Sequence, residues 1–336
     1  MKDRNGLART FVAQTDWAGA EWTPLAGDAS NRRYLRLHMD GQSAVLMDAP
    51  PERGEDVTPF ITIADHFAQL GLSAPRILAQ DADLGFLLLE DLGDDLYARV
   101  LAREPALEEA LYTAAVGALA HLHKAPVPHG LAAYDAPMMA GLAALVFDWY
   151  AGTPDSVGRM AAHDVMQRLL EKYAPEHDVL IQRDYHAENL LWIPERAGAA
   201  RVGLLDFQDA MAGHRAYDLV SLLQDARRDV PAETERAMIA HYLCLTGRDA
   251  ARFDAAYHVL GAQRNLRIVG VFARLCLRDG KDHYVDLIPR VWALLQRDLV
   301  HPALAELRPL VAEHLPEPSP EYLTKLTSRS GTCPTL

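Results

Sequence analysis

Asp184, Asn189 and Asp206 are the side chains whose types and spacing can do chemistry. Asp184 lies in a polar loop ahead of the apolar run 190–193. Asn189 is five residues further on, and Asp206 follows a second apolar run, 202–205. Phosphoryl transfer needs an attacking hydroxyl that is oriented and partly deprotonated, and a divalent cation that screens the phosphate oxygens. A carboxylate clear of the metal can do the first. A carboxylate plus an amide oxygen can do the second, because magnesium takes hard oxygen ligands and borrows the rest from phosphates and water. Asp184 fits the first role; Asn189 and Asp206 fit the second. Asp and Asn are ordinary loop residues, and Asp-x-x-x-x-Asn alone recurs by chance. A second run ending in Asp206-Phe207 separates this segment from an ordinary loop.

The elements that must position these residues are legible in the flanking pattern. The two apolar runs around a Pro- and Gly-containing turn predict two short strands. Upstream, strands are expected at 22–26, 33–37 and 44–47, with Asp40-Gly41 as a hairpin turn. Between the first two strands lie Gly27, Asp28, Ala29, Ser30 and Asn31, small or polar residues whose backbone amides can approach phosphate oxygens. Phe60, Ile63, Phe67 and Leu70 recur at helical spacing before Gly71, predicting a helix over 56–70. Strands at 76–78 and 85–89 lead into Glu90-Asp91-Leu92-Gly93. From Pro105 the chain reads as helical: an apolar stripe over 107–122, then helices over 137–150, 164–173, 231–246, 250–278, 282–300 and 303–315, with another starting near Ala216. The fold class expected is α+β. Asp218, near the start of its helix, can stabilise the N-terminus. Arg264, Arg267, Arg274 and Arg278 fall at roughly helical spacing. Such rows are mostly solvated faces, though an arginine can clasp a carboxylate with two hydrogen bonds.

Composition sets limits. The chain has 336 residues, half of them hydrophobic and about a quarter charged, enough for one two-lobed domain or two small ones. Acidic residues outnumber Lys and Arg by 46 to 33, a formal net charge of −13, which argues against a nucleic-acid or anionic-membrane surface. Cys244, Cys276 and Cys333 are far apart and form no metal-binding pattern, so a reduced compartment is expected. No stretch is long and apolar enough to span a bilayer, and the start has no apolar signal core; a cytoplasmic protein is the expectation. The segment 316–336, polar and Pro-rich early, is expected to be a flexible tail. Oligomeric state is not legible.

QRDYHAEN over 182–189 followed by LLDFQD over 204–209 resembles the catalytic loop and metal-binding segment of the aminoglycoside phosphotransferase family, relatives of the protein kinases. The segment departs from that family at Gln182, where a histidine is usual. The resemblance implies a two-lobed protein-kinase-like fold, with a small β-rich N-lobe over 1–92 and a larger α-helical C-lobe over 93–315. It implies ATP and Mg2+ as cofactors, a hinge at Glu90 and Leu92 whose main chain reads the adenine edge, and a phosphate-covering loop at 27–31. Arg183 and His186 would brace the catalytic loop, and Asp218 would support it by hydrogen bonds, helix capping being the alternative.

One feature departs from the kinase pattern. Relatives keep a lysine on the third strand for the nucleotide phosphates; here that position is Met47, within Val45-Leu46-Met47-Asp48. Arg32 and Arg33, beside the 27–31 loop, are the candidate replacements, with solvated strand-edge charges as the alternative. GDASNRRYLRL, VLMDAPPE, GFLLLEDLGD and FARLCLRDGKDHYV together resemble a subgroup, the bacterial amino-sugar kinases of cell-wall recycling, over about 25–289. That resemblance implies phosphorylation of the anomeric hydroxyl of N-acetylmuramate and N-acetylglucosamine. For the first sugar, Arg264 or Arg267 would meet the lactyl carboxylate. The competing expectations are an aminoglycoside or other alcohol as acceptor, or a non-catalytic nucleotide-binding module, which the missing lysine motivates. The expected partners are a small sugar and a nucleotide, with no nucleic acid and no membrane.

Overall fold

The computed structural model describes residues 3–25 and 31–333. The chain divides into two compact units, one comprising 1–122 with 187–210 and the other 123–186 with 211–336. The fold is α+β.

The first unit opens with α1 (Arg4–Val12), whose N-terminus is capped by Asp3 accepting from the Asn5 amide. Strands β1 (Glu21–Pro24), β2 (Arg33–Met39) and β3 (Gln42–Asp48) follow, then α2 (Thr58–Gln69), β4 (Ile77–Asp81) and β5 (Phe86–Glu90). Among the described residues these strands make one five-stranded antiparallel sheet in the order β1-β2-β3-β5-β4. Asp40 and Gly41, with φ of 51° and 75°, turn β2 into β3. Two positive φ values match a tight hairpin turn to the twist of its strands. Side chains alternate across a strand, and the two faces serve different ends. Leu37, Ala44, Leu46, Phe86 and Leu88 pack with Ala8, Phe11 and Val12 of α1 in one buried cluster. The opposite face carries Tyr34, Arg36, Val45 and Leu89 into a cleft.

Helices α3 (Tyr97–Arg103) and α4 (Glu108–Leu122) and the hairpin formed by Leu190–Trp192 and Val202–Leu204 complete this unit. The amide of Ala98 donates to the Ala187 carbonyl, and that of Trp192 to the Asp95 carbonyl. These bonds tie 93–122 and the hairpin to the β-rich unit, so the grouping differs from an expected break at 92/93.

The second unit is built from α5 (Ala136–Ala143), α6 (Val157–Tyr173), α7 (Tyr217–Leu223), α8 (Ala232–Thr246), α9 (Ala250–Leu277), α10 (Ile288–Leu299), α11 (Leu307–His314) and α12 (Pro320–Thr327). Strand Val179–Ile181 pairs with Met211–Gly213. Helix α9 is the axis: α5, α6, α7, α10 and the wide turn Val146–Ala151 all pack on it. Gly270 permits that closeness, because a Cβ there would lie 2.4 Å from the Leu145 carbonyl carbon. The helix expected over 137–150 breaks after Ala143 into that turn, and the helix expected from 164 begins at Val157, capped by Ser156.

The tail expectation is corrected. Within 316–336, α12 is capped by Ser319, Leu326 is buried, and Tyr322 donates to the Tyr150 carbonyl. The amides of Gly331 and Cys333 donate to the carbonyls of Cys276 and Leu277 at the end of α9. A Pro-rich, polar reading missed Tyr322 and Leu326, which are few but well placed. Among the described residues, no helix is long and apolar enough to cross a membrane.

Candidate active site

In the β-rich unit a cleft of about 320 Å3 is lined by apolar side chains of the sheet and hairpin, among them Leu25, Val45, Leu89, Leu191 and Leu205. The stretch Glu90–Gly93 forms one wall, and Asn189, Asp206 and Gln208 lie at its polar end. A mostly apolar slot with a few convergent polar groups is the usual form of a small-molecule site. Glu90 turns its carboxylate to Arg196 (2.8 Å) and Arg76 (3.1 Å), and its amide donates to the Arg76 carbonyl. The side chain is therefore committed to structure. Leu92 lines the cleft.

Asp206 follows the strand Val202–Leu204 and has φ of 55°, a left-handed conformation uncommon for a non-glycine residue, though Asp adopts it more readily than most. Gln208 Nε2 donates to Asp206 Oδ1 at 2.7 Å and Asn189 Nδ2 to Oδ2 at 3.4 Å. The Asn189 carbonyl accepts from the Leu205 amide at 3.0 Å, so the two loop ends are held in register. Among the described residues there is no cluster of three or more His, Cys, Asp or Glu side chains able to hold a metal ion. Asn189 and Asp206 supply two hard oxygen donors, the amide oxygen and a carboxylate. This donor set fits magnesium, which is commonly held by one or two carboxylates plus substrate phosphates.

Met47 is buried at 1% exposure, opposite Tyr34 on β2 and Leu87 on β5. Glu55 pairs instead with Arg32 at 2.8 Å and accepts from the Asn31 amide at 3.1 Å. Arg33 bonds Asp48, which is fully buried and also held by Arg4. Neither pair is legible from residue types alone. For Asp48 the signal is register, since Arg33 and Asp48 face each other across the β2–β3 ladder. Arg36 is not among the expected site residues; it shares the cleft face with Tyr34 and pairs with Asp91 (2.7 Å) and Asp94 (2.8 Å). Gly27, Asp28, Ala29 and Ser30 lie outside the described residues.

In the helical unit, Asp184 follows Arg183, whose φ of 73° is again left-handed. The loop is pinned from behind. Asp218 Oδ2 accepts from the Gln182 amide at 2.7 Å and Oδ1 from the Arg183 amide at 2.9 Å. Ser221 Oγ donates to the Arg183 carbonyl at 3.3 Å. Asp218 is therefore bound to the loop, while the end of its own helix has no side-chain cap. Burial pushes the Asp218 carboxyl up to about 7, against the two amide bonds that favour its anion.

Burial also pushes the Asp184 carboxyl up, but the guanidinium groups of Arg267, Arg264 and Arg183 prevail and hold it below the usual carboxylate range. His186 is pushed down to about 4 by burial, so at neutral pH it is an uncharged ring, 3.3 Å from Arg227 Nη1. Arg264 is buried, donating to Ser221 Oγ (2.9 Å) and to the Gln224 carbonyl (3.2 Å). Arg267 donates to Tyr217 OH at 3.0 Å, and Tyr217 OH lies 3.3 Å from Tyr134 OH. The Arg183 guanidinium stacks over the Tyr134 ring at 5.3 Å. This unit thus presents one ionised carboxylate on a rigid loop among arginines and buried tyrosines.

Comparison with known proteins identifies the family. The model of the phosphotransferase enzyme family matches residues 21–255. An N-acetylmuramate/N-acetylglucosamine kinase of Caulobacter vibrioides is 38% identical over 94% of this chain and 97% of its own. One of Pseudomonas aeruginosa is 36% identical over 91% and 93%. Among solved structures, a choline kinase from Streptococcus pneumoniae superposes with a TM-score of 0.61 at 13% identity, covering 87% of this chain and 99% of its own. A spectinomycin phosphotransferase does so with a TM-score of 0.56 at 12% identity, covering 93% and 98%. At such identities the structures speak to the fold, which is protein-kinase-like. The match over most of the chain and relatives this similar along nearly their full length place it: the chain belongs to the phosphotransferase enzyme family.

Proposed function

We propose that this chain transfers the terminal phosphoryl group of ATP to the anomeric hydroxyl of N-acetylmuramate and N-acetylglucosamine. The observation that carries the acceptor is the likeness to kinases named for these two sugars, 34–38% identical over at least 87% of each chain. The cleft of the β-rich unit suits the nucleotide: apolar side chains for the base and the main chain of Glu90 and Leu92 for its edge. Asn31, Arg32 and Arg33, continuing from 27–30, lead from the phosphate-covering loop. Arg32 offers the cation that Met47 does not, already steadied by Glu55.

Asn189 and Asp206 are the residues that would hold Mg2+, which when bound neutralises charge on the phosphate oxygens. Asp184 accepts a hydrogen bond from the sugar hydroxyl and takes its proton as the sugar oxygen bonds to the terminal phosphorus and the bond from that phosphorus to the bridging oxygen breaks, releasing ADP. It need not be a strong base, because the transition state is loose and positioning supplies much of the rate. A carboxyl held ionised by Arg267, Arg264 and Arg183 is ready for that at neutral pH. Asp218 fixes the backbone at Arg183, and His186 packs behind the loop. With Arg264 committed to Ser221 and Gln224, Arg267 is the better placed of the two to touch the acceptor.

The test is magnesium-dependent ATP consumption and product formation with N-acetylmuramate, N-acetylglucosamine and kanamycin offered separately. Turnover of the two amino sugars is expected. Turnover of kanamycin alone would overturn the acceptor, and ATP consumption without any acceptor product would return the nucleotide-binding module.

A further inference from the structure

Of the arginines at 264, 267, 274 and 278, on α9 and its C-terminal end, three find partners. Arg264 has Ser221 and the Gln224 carbonyl, and Arg267 has Tyr217. Arg278 clasps Asp279 with two bonds of 2.6 and 2.9 Å. Arg274 is the exception. Its Nε is buried without a hydrogen-bond partner, and among the described residues no ion pair reaches its guanidinium. Asp279, the carboxylate that favours its charge, is clasped by Arg278.

Arg267 and Arg274 are seven residues apart, nearly two helical turns, so they stand on one stripe of α9 about 10 Å apart along its axis. Arg267 is the first of the cations that hold Asp184 ionised. Burial, followed by the neighbouring charges of Arg278 and Arg267, disfavours the charged form of Arg274. Cationic charge thus accumulates along a stripe that begins beside Asp184, in a chain whose net charge is −13. A buried guanidinium nitrogen without an acceptor, in a cationic neighbourhood, is a place that an anion would satisfy.

We propose that Arg274 recognises the carboxylate of an acidic sugar acceptor, and so determines the use of N-acetylmuramate relative to N-acetylglucosamine. This rests on the acceptor reading above. The two sugars differ by one group, a lactic acid ether on the 3-oxygen of the ring, and that group carries the only carboxylate. Arg274 has no task when the neutral sugar is bound.

The experiment measures kcat/KM for both sugars, at saturating ATP and magnesium, in the wild-type protein, Arg274→Met and Arg274→Lys, with melting temperatures to confirm folding. Losing a charge-assisted hydrogen bond costs roughly 10- to 100-fold. Arg274→Met is expected to lower kcat/KM for N-acetylmuramate by that factor, mostly through KM, and that for N-acetylglucosamine by less than about 3-fold. Arg274→Lys, which keeps charge but not the planar fork, is expected to fall between, and it carries the test if the methionine variant does not fold. An equal loss on both sugars in a folded variant, or no loss on N-acetylmuramate, would overturn the inference and leave the acceptor reading intact. A wild-type protein that phosphorylates neither sugar would overturn both.

Discussion

The loop that carries Asp184 and the loop that carries Asp206 have the same backbone peculiarity and opposite means of holding it. Each has one non-glycine residue at positive φ, Arg183 at 73° and Asp206 at 55°. In the helical unit the strain is held by the backbone: the buried carboxylate of Asp218 takes two successive amides, and Ser221 takes the carbonyl between them and Asp184. In the β-rich unit the strained residue is itself the candidate ligand, and its own carboxylate takes the bonds from Gln208 and Asn189. On the proposed roles the two loops divide the work. The residue proposed to meet a proton is fixed by a separate anchor, and the residue proposed to share a cation with phosphates is held by side-chain bonds that metal bonds can replace.

That contrast sets the order of expected effects. Asp184→Asn removes the proposed proton acceptor but not its anchor, so kcat is expected to fall by about 10^2- to 10^4-fold with the melting temperature nearly unchanged. A folded Asp184→Asn enzyme with wild-type turnover would remove Asp184 from the chemistry. Asp206→Asn keeps one oxygen, and so one of the two bonds accepted from Gln208 and Asn189, but loses the charge proposed to attract the cation. Its kcat is expected to fall less steeply, and the magnesium concentration for half-maximal rate to rise at least several-fold. An unchanged magnesium dependence would end the ligand assignment.

Asp218→Asn separates anchor from chemistry through pH. The Asp218 carboxyl is raised from its ordinary range to about 7, so the folded protein binds this proton more tightly than the unfolded chain. Its contribution to stability is then fully present below about pH 4 and is lost as pH rises to about 7, a change on the order of a few kcal/mol. In Asp218→Asn, denaturant unfolding should show a flatter stability profile across that window. It should also show a loss of about 1–3 kcal/mol at low pH, where an amide replaces the carboxyl at one of two amide bonds. The same slope in wild type and variant would mean that Asp218 does not titrate there.

Much of this was legible in the sequence, and the reasons are local. The hairpin at Asp40-Gly41, the helix stopped by Gly71 and the strand pair around 190–204 rest on turn chemistry and periodicity that need no partner. Asp184, Asn189 and Asp206 stood out because motif spacing is a one-dimensional property. What was not legible depends on which side chains meet. Arg33, a candidate for phosphate with a solvated strand edge as the alternative, bonds Asp48, and Arg32 is held by Glu55. Both pairings are set by strand register and by the path of 49–57. The end of the chain was misjudged for a similar reason: Tyr322 and Leu326 find Tyr150 and α9 only in three dimensions. The choice between capping and loop support at Asp218 likewise needed the distances to Gln182 and Arg183.

The central claim is a phosphoryl group placed on the anomeric oxygen. Phosphorus-31 and proton NMR of the product formed from N-acetylmuramate, ATP and magnesium test it most directly. The expected product is a sugar 1-phosphate whose phosphorus couples to the anomeric proton, formed by the wild-type protein and not by Asp184→Asn. A phosphate on any other sugar oxygen, or an unmodified sugar recovered from an enzyme that phosphorylates kanamycin, would contradict it.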